Sequence, residues 1–150
     1  MSLFVSTIVN KIDRKGRVSV PASWRVALAN PSFSGIFCYP SFVSSCLDGM
    51  GADRLNRIAE SLDRLDVFSV EQDDMAQLIF ASMRQLPFDT EGRVVLPDDL
   101  MVHADLSGEA AFVGRGKTFQ IWEPTALKAA QDDARWRALQ ARPTLTLEGG

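Results

Sequence analysis

The chain is poor in the side chains that build catalytic and metal centres: its 150 residues include one histidine, His103, and two cysteines, Cys38 and Cys46. A lone imidazole is weak material for acid–base or metal chemistry, which draws on several convergent groups, so His103 is read as a structural or surface residue. Two thiols separated by seven residues make neither a disulfide framework nor a four-ligand zinc site. Their apolar neighbours point to buried, reduced thiols. No apolar run approaches the ~18 residues of a membrane span, and the first residues lack the basic and apolar regions of a secretory leader. Neither a span nor a leader is expected. Basic residues are not in excess: 16 stand against 19 acidic ones, a formal charge of −3. Net charge therefore gives no support for a polyanion partner, although a local basic patch can act within an acidic whole. Disorder is excluded by a hydrophobic content of 46%, which supplies the apolar mass to offset chain entropy.

What the chain does have is an internal repeat. Residues 13–21 read Asp13-Arg14-Lys15-Gly16-Arg17-Val18-Ser19-Val20-Pro21, and residues 89–97 read Asp89-Thr90-Glu91-Gly92-Arg93-Val94-Val95-Leu96-Pro97. The shared pattern is D-x-x-G-R-V-x-(V/L)-P at an offset of 76. Two copies predict one pseudo-twofold domain, since a solenoid needs three or more. Residues 5–12 are rich in β-branched side chains and predict a strand. Asp13 and Asp89 suit turn starts, where a carboxylate accepts nearby backbone N–H groups; Gly16 and Gly92 supply positive φ at the turn exits. Alternation then turns Val18 and Val20 one way and Arg17 and Ser19 the other. Pro21 and Pro97 end the strands and open short helices over 21–28 and 97–101. Each copy thus reads as β-hairpin, short helix, strand.

The repeats are expected to cover residues 4–50 and 84–123. Between them, residues 52–83 predict two helices. Leu55, Ile58, Leu62 and Leu65 form one apolar stripe. Met75, Leu78, Ile79 and Leu86 form another, with Asp73 or Asp74 as N-cap. Alanine-rich residues 124–143 predict a C-terminal helix that Pro143 stops, followed by a frayed tail over 144–150.

The paired motifs resemble those of the MraZ family, bacterial transcription factors of the AbrB/SpoVT-like class. The resemblance spans nearly the whole chain, including the opening residues 4–25, the helical insertion and the closing segment from Val113 through Gly114-Arg115-Gly116-Lys117 to Glu123. It implies an α+β fold, a double-split β-barrel of two swapped-hairpin repeats with intervening and C-terminal helices. It also implies ring-like homo-oligomers that bind short repeated boxes in double-stranded promoter DNA. The implied outcome is repression of the protein's own operon, in the division and cell-wall gene cluster, by a cytoplasmic, nucleoid-associated protein. One departure stands out: Ser45-Cys46-Leu47 runs into Asp48-Gly49-Met50-Gly51-Ala52-Asp53, so the family's strand here is expected to be shortened or replaced by a loop.

The copies differ in charge. Residues 11–25 set Lys11, Arg14, Lys15, Arg17 and Arg25 against Asp13 alone, a local +4, whereas residues 84–105 carry a local −3. Phosphate neutralisation dominates DNA affinity, so these five cations are the candidate DNA-binding residues. Arg17 leads: its strand position points it away from the valines, an arginine can engage guanine or phosphate bidentately, and the resemblance places the family's arginine there. Arg93 is expected to pair with Asp89 and hold its hairpin, with a second DNA contact as the other reading. Asp13 and Asp89 could be imagined as a catalytic pair, but each is explained by its turn and no nucleophile–base set accompanies them. No enzyme activity, cofactor, metal or small-molecule substrate is expected. Two other readings are an antitoxin-like DNA-binding module, against which the alanine-rich final helix counts, and an oligomeric scaffold that binds no DNA.

Overall fold

In a computed structural model describing residues 3–147, each repeat pairs its first two strands with the other copy. The strands are β1 (Thr7–Lys11), β2 (Arg17–Ser19), β3 (Gly35–Pro40), β4 (Leu47–Met50), β5 (Arg84–Pro87), β6 (Arg93–Val95), β7 (Glu109–Gly114) and β8 (Phe119–Trp122). They form one antiparallel sheet in the order β1-β7-β8-β4-β3-β5 and a two-stranded ribbon, β2-β6. β1 pairs with β7 of the other copy, from Thr7 opposite Val113 to Lys11 opposite Glu109, and β5 pairs with β3 in the corresponding way. The six-strand order is therefore pseudo-twofold, with β1 and β5 at its open edges.

The local hairpin reading is corrected here. β1 and β2 form no ladder with each other: Ile12, just past β1, bridges Val18 and Asn10 Nδ2 donates to Ser19 O at 2.7 Å, while β2 spends its ladder on β6. The physical reason is burial. A three-residue strand cannot cover its own valine, but the exchange sets Val18 opposite Val94, and both are almost fully enclosed. With Val20, Leu96, Leu100, Ile36, Phe112, Phe119 and Ile121 they make one core from both repeats. Trp24 fills its centre, with ring centroids 5.3 Å from Phe4, 6.0 Å from Phe112 and 5.2 Å from Phe119. The fold is α+β, in the swapped-hairpin arrangement.

Five α-helices complete the described residues. α1 (Ala22–Ala27) and α4 (Asp98–His103) each follow a motif proline. α2 (Ala52–Asp63) lays Leu55 and Ile58 against Phe37, Tyr39 and Met50. α3 (Val70–Met75) departs from expectation at both ends. Its N-cap is Ser69, whose Oγ accepts from the Gln72 N–H at 3.1 Å, so Asp73 and Asp74 lie inside the helix. The Ser-x-x-Gln spacing carries that cap. The chain continues as a π-helical turn over Ala76–Phe80, and Leu86 leaves the supposed stripe for β5. Residues 47–50 are not a loop: β4 pairs with both β3 and β8. Gly49 permits this, because a Cβ there would lie 2.3 Å from the Phe119 ring. α5 (Pro124–Ala141) is capped by the Glu123 carboxylate and buries Leu127 beside Cys46, Ala111 and Trp122. Residues 144–147 carry no regular structure, and 148–150 of the expected tail lie outside the described residues.

Candidate nucleic-acid interface

Both motif turns are built alike. Asp13 Oδ1 accepts the N–H groups of Lys15 and Arg17, each at 2.9 Å, and Oδ2 receives Arg17 Nε at 2.6 Å. Asp89 Oδ1 accepts the N–H groups of Glu91 and Arg93, each at 2.9 Å, and Oδ2 receives Arg93 Nε at 2.8 Å. The Arg17 and Arg93 backbone N–H groups, ahead of the side-chain bonds, hold the respective carboxyls below the usual carboxylate range. Arg93 is pushed up in turn, chiefly by its bond to Asp89. Gly16 and Gly92 close the turns at φ +79° and +76°, which favours glycine.

The exchange joins the two turns. Leu96 N–H donates to Gly16 O at 2.9 Å, and Val20 N–H donates to Gly92 O at 3.2 Å. On the ribbon between them, Val18 and Val94 face the core. Arg17 opposite Val95, and Ser19 opposite Arg93, therefore face outward. The two motif arginines, far apart in sequence, share one solvent face of a two-stranded antiparallel ribbon. Sequence reasoning placed Ser19 beside Arg17 but missed Val95 as a member of that face; the period-two alternation held the signal, but the pairing of the copies did not show in it.

The arginines are paired unequally. Arg17 gives its Nε to Asp13, and its Nη groups make no ion pair among the described residues. Arg93 gives its Nε to Asp89 and its Nη2 to Glu91 at 3.2 Å. Both keep about a third of their side chains in solvent, 34% and 28%. Arg14 and Lys15 are exposed at the first turn, and Lys11 is exposed at the end of β1 opposite Glu109. Arg25 lies elsewhere. Its Nη1 donates to Val20 O at 2.8 Å, and its guanidinium lies against Gly92, in the second copy's turn. The swap thus moves one charge counted with the first repeat to the second. Arg84 is tied to Asp99.

The remaining reactive groups sit apart. Cys38 and Cys46 are free and buried, and burial pushes each thiol up to about 12. His103 is exposed at the end of α4. Among the described residues no three His, Cys, Asp or Glu side chains gather as a metal site, and no helix is long and apolar enough to cross a membrane.

A family model described as "MraZ protein, putative antitoxin-like" matches residues 79–143. The chain is 42% identical over 146 residues to a protein named transcriptional regulator MraZ from Pelagibacter ubique, covering 97% of this chain and 94% of that one. It is 39% identical over 145 residues to the protein of that name from Rickettsia canadensis, covering 97% of each. A third, from Rickettsia bellii, is 40% identical over 146 residues. Matches of this length span both motif copies, the insertion and the C-terminal helix, and the chain belongs to the MraZ family.

Proposed function

We propose that this protein is a transcriptional regulator that binds double-stranded DNA sequence-specifically through the outer face of the β2–β6 ribbon. The observation that carries the reading is the placement of Arg17 and Arg93 on that face, with Arg14 and Lys15 at the adjoining turn and Lys11 at the end of β1. A major groove admits a two-stranded ribbon, and its base edges accept arginine bidentately. Arg17 supplies the base or phosphate contact; Arg14, Lys15 and Lys11 neutralise phosphates. So few charges bind weakly at physiological salt. A homo-oligomeric ring presenting several ribbons to short repeated promoter boxes gains affinity through effective concentration. Bound at its own promoter, in a division and cell-wall gene cluster, such an assembly represses the operon by occupying it.

A mobility-shift titration with the DNA upstream of the protein's own gene tests this against a scrambled duplex, with light scattering on the same sample. The expected outcome is a retarded complex on the native duplex alone, formed by a multimer. A monomer, or equal binding to both duplexes, sinks the reading.

A further inference from the structure

The repeats exchange supports as well as strands. Arg25 on α1 and Met101 on α4 occupy equivalent places relative to the two motifs, and each lies beside the other copy's turn. At the second turn the contact is polar. Val20 is held on both sides of its peptide: its N–H donates to Gly92 O at 3.2 Å, and its C=O accepts from Arg25 Nη1 at 2.8 Å. The guanidinium fills the space left by the missing side chain of Gly92: a Cβ there would come 2.5 Å from Nη1, 2.6 Å from Cζ and 2.7 Å from Nε. At the first turn the counterpart is a thioether. A Cβ at Gly16 would lie 3.8 Å from Met101 Sδ and 3.1 Å from Leu96 O. A thioether has no hydrogen to donate to that carbonyl. Both turns keep the crossing main-chain bond, Val20 N–H to Gly92 O and Leu96 N–H to Gly16 O; beside the second, Arg25 adds a charge-assisted hydrogen bond to Val20 O, whereas beside the first Met101 adds van der Waals contact alone.

We propose that Arg25 is a positioning residue for the ribbon: it fixes the second repeat's turn against the exit of β2, and so sets where the Arg93 end of the ribbon stands, without itself touching DNA. This rests on the DNA-binding reading. Three observations carry it: the bond to Val20, the fit against Gly92, and the half-buried position of Arg25. A residue whose Nη1 is spent on a backbone carbonyl beneath a turn is ill placed to lead a phosphate contact. Its equivalent being a methionine, the clamp serves the second turn only.

The test uses the full chain with Arg25→Met, Arg25→Lys and Met101→Arg. Amide hydrogen exchange is read at residues 89–93 and 13–17, and DNA affinity at two salt concentrations. Arg25→Met should speed exchange at 89–93 and leave 13–17 unchanged. It should weaken DNA binding by about three- to tenfold, part of the worth of a charged hydrogen bond, at an unaltered salt slope. Arg25→Lys keeps a donor and a charge and should recover most of both. Met101→Arg supplies the missing donor and should slow exchange at 13–17, an independent readout should Arg25→Met fail to fold. A salt slope lower by about one, with exchange unchanged, would make Arg25 a direct phosphate contact and overturn the proposal. Unchanged exchange and affinity in Arg25→Met would overturn it too. If the parent protein binds no DNA while exchange responds as stated, the DNA reading fails and the clamp alone stands.

Discussion

Arg17→Ala and Arg93→Ala should separate the two copies of one motif. Each substitution removes a guanidinium and leaves an aspartate unpaired, Asp13 in one case and Asp89 in the other. The aspartate's penalty is common to both and drops out of the comparison, while Arg93→Ala also frees the exposed Glu91. Stability should barely change, because both pairs are solvent-exposed and such pairs contribute little net free energy. The difference lies in the free end of the guanidinium. Arg17 has its Nη groups open to a ligand, whereas Arg93 has Nη2 committed to Glu91 at 3.2 Å. A DNA phosphate approaching Arg93 meets the Glu91 carboxylate as well. Loss of a bidentate base contact costs ~1–3 kcal/mol, roughly 5- to 150-fold per engaged site. Across several boxes on one oligomer the losses multiply, so Arg17→Ala should abolish a visible shift while Arg93→Ala weakens it by less than about tenfold. Glu91→Gln, which releases Arg93 from its second partner, should raise affinity. The assay is a fluorescence titration of boxed and scrambled duplexes at two salt concentrations, on samples matched in size by chromatography. If Arg17 reads a base, preference for the boxed duplex shrinks; if it touches phosphate, both affinities fall together and the salt slope drops by about one. Equal losses in Arg17→Ala and Arg93→Ala would refute the asymmetry and make the ribbon a symmetric reader.

Three further outcomes follow from the packing. Gly16→Val and Gly92→Val should each cost about 1–3 kcal/mol, since φ near +79° and +76° disfavours a β-branched residue; unchanged melting in both would exclude the turn geometry. Gly49→Ala places a methyl 2.3 Å from Phe119, so it should lower the melting temperature and be partly rescued by Phe119→Leu, whereas strict additivity in the double-mutant cycle would show that the two do not touch. Asp13 and Asp89 titrate below their ordinary value of 3.8, so the folded state holds fewer protons than the unfolded one. Their contribution is complete above that value and is lost as pH falls through the lower folded values; melting followed against pH should lose part of its acid slope in Asp13→Asn/Asp89→Asn, and an unaltered slope would place the acid sensitivity elsewhere.

Local chemistry carried much of the fold into view. The two motif copies, the alternation that turns Arg17 away from Val18, and the prolines that start α1 and α4 are all nearest-neighbour features, set by turn sterics and side-chain direction. The cap of α3 has a local signal as well: Ser69 stands three residues before Gln72, a capping spacing distinct from the two aspartates named as cap candidates. Other features depended on partners distant in the chain. Nothing near residues 47–50 says that a strand survives there, because the reason is the Phe119 ring lying where Gly49 has no side chain. Nothing near Ile12 says that β1 will prefer β7 to β2, because the gain appears only when both short strands enclose their valines together.

The same limit governs the site. A charge sum over residues 11–25 treats neighbours in sequence as neighbours in space, and a strand exchange breaks that equality. Arg25 counts toward the first copy in sequence yet stands beneath Gly92 of the second, while Arg17 and Arg93 come onto one ribbon face from opposite halves of the chain. The electrostatic contrast between the repeats is therefore sharper at single atoms than in any window: it rests on whether a carboxylate such as Glu91 occupies the outer nitrogens of the motif arginine. On the proposed DNA-binding reading, the difference between the copies then lies in the turn residue two before the arginine, Lys15 in one copy and Glu91 in the other. Exchanging them, Lys15→Glu with Glu91→Lys, should hand the dominant DNA contact from Arg17 to Arg93. Arg93→Ala made in that background should then become the severe variant. If Arg17→Ala remains the more damaging of the two there, the contrast comes from the surrounding fold and not from these two side chains.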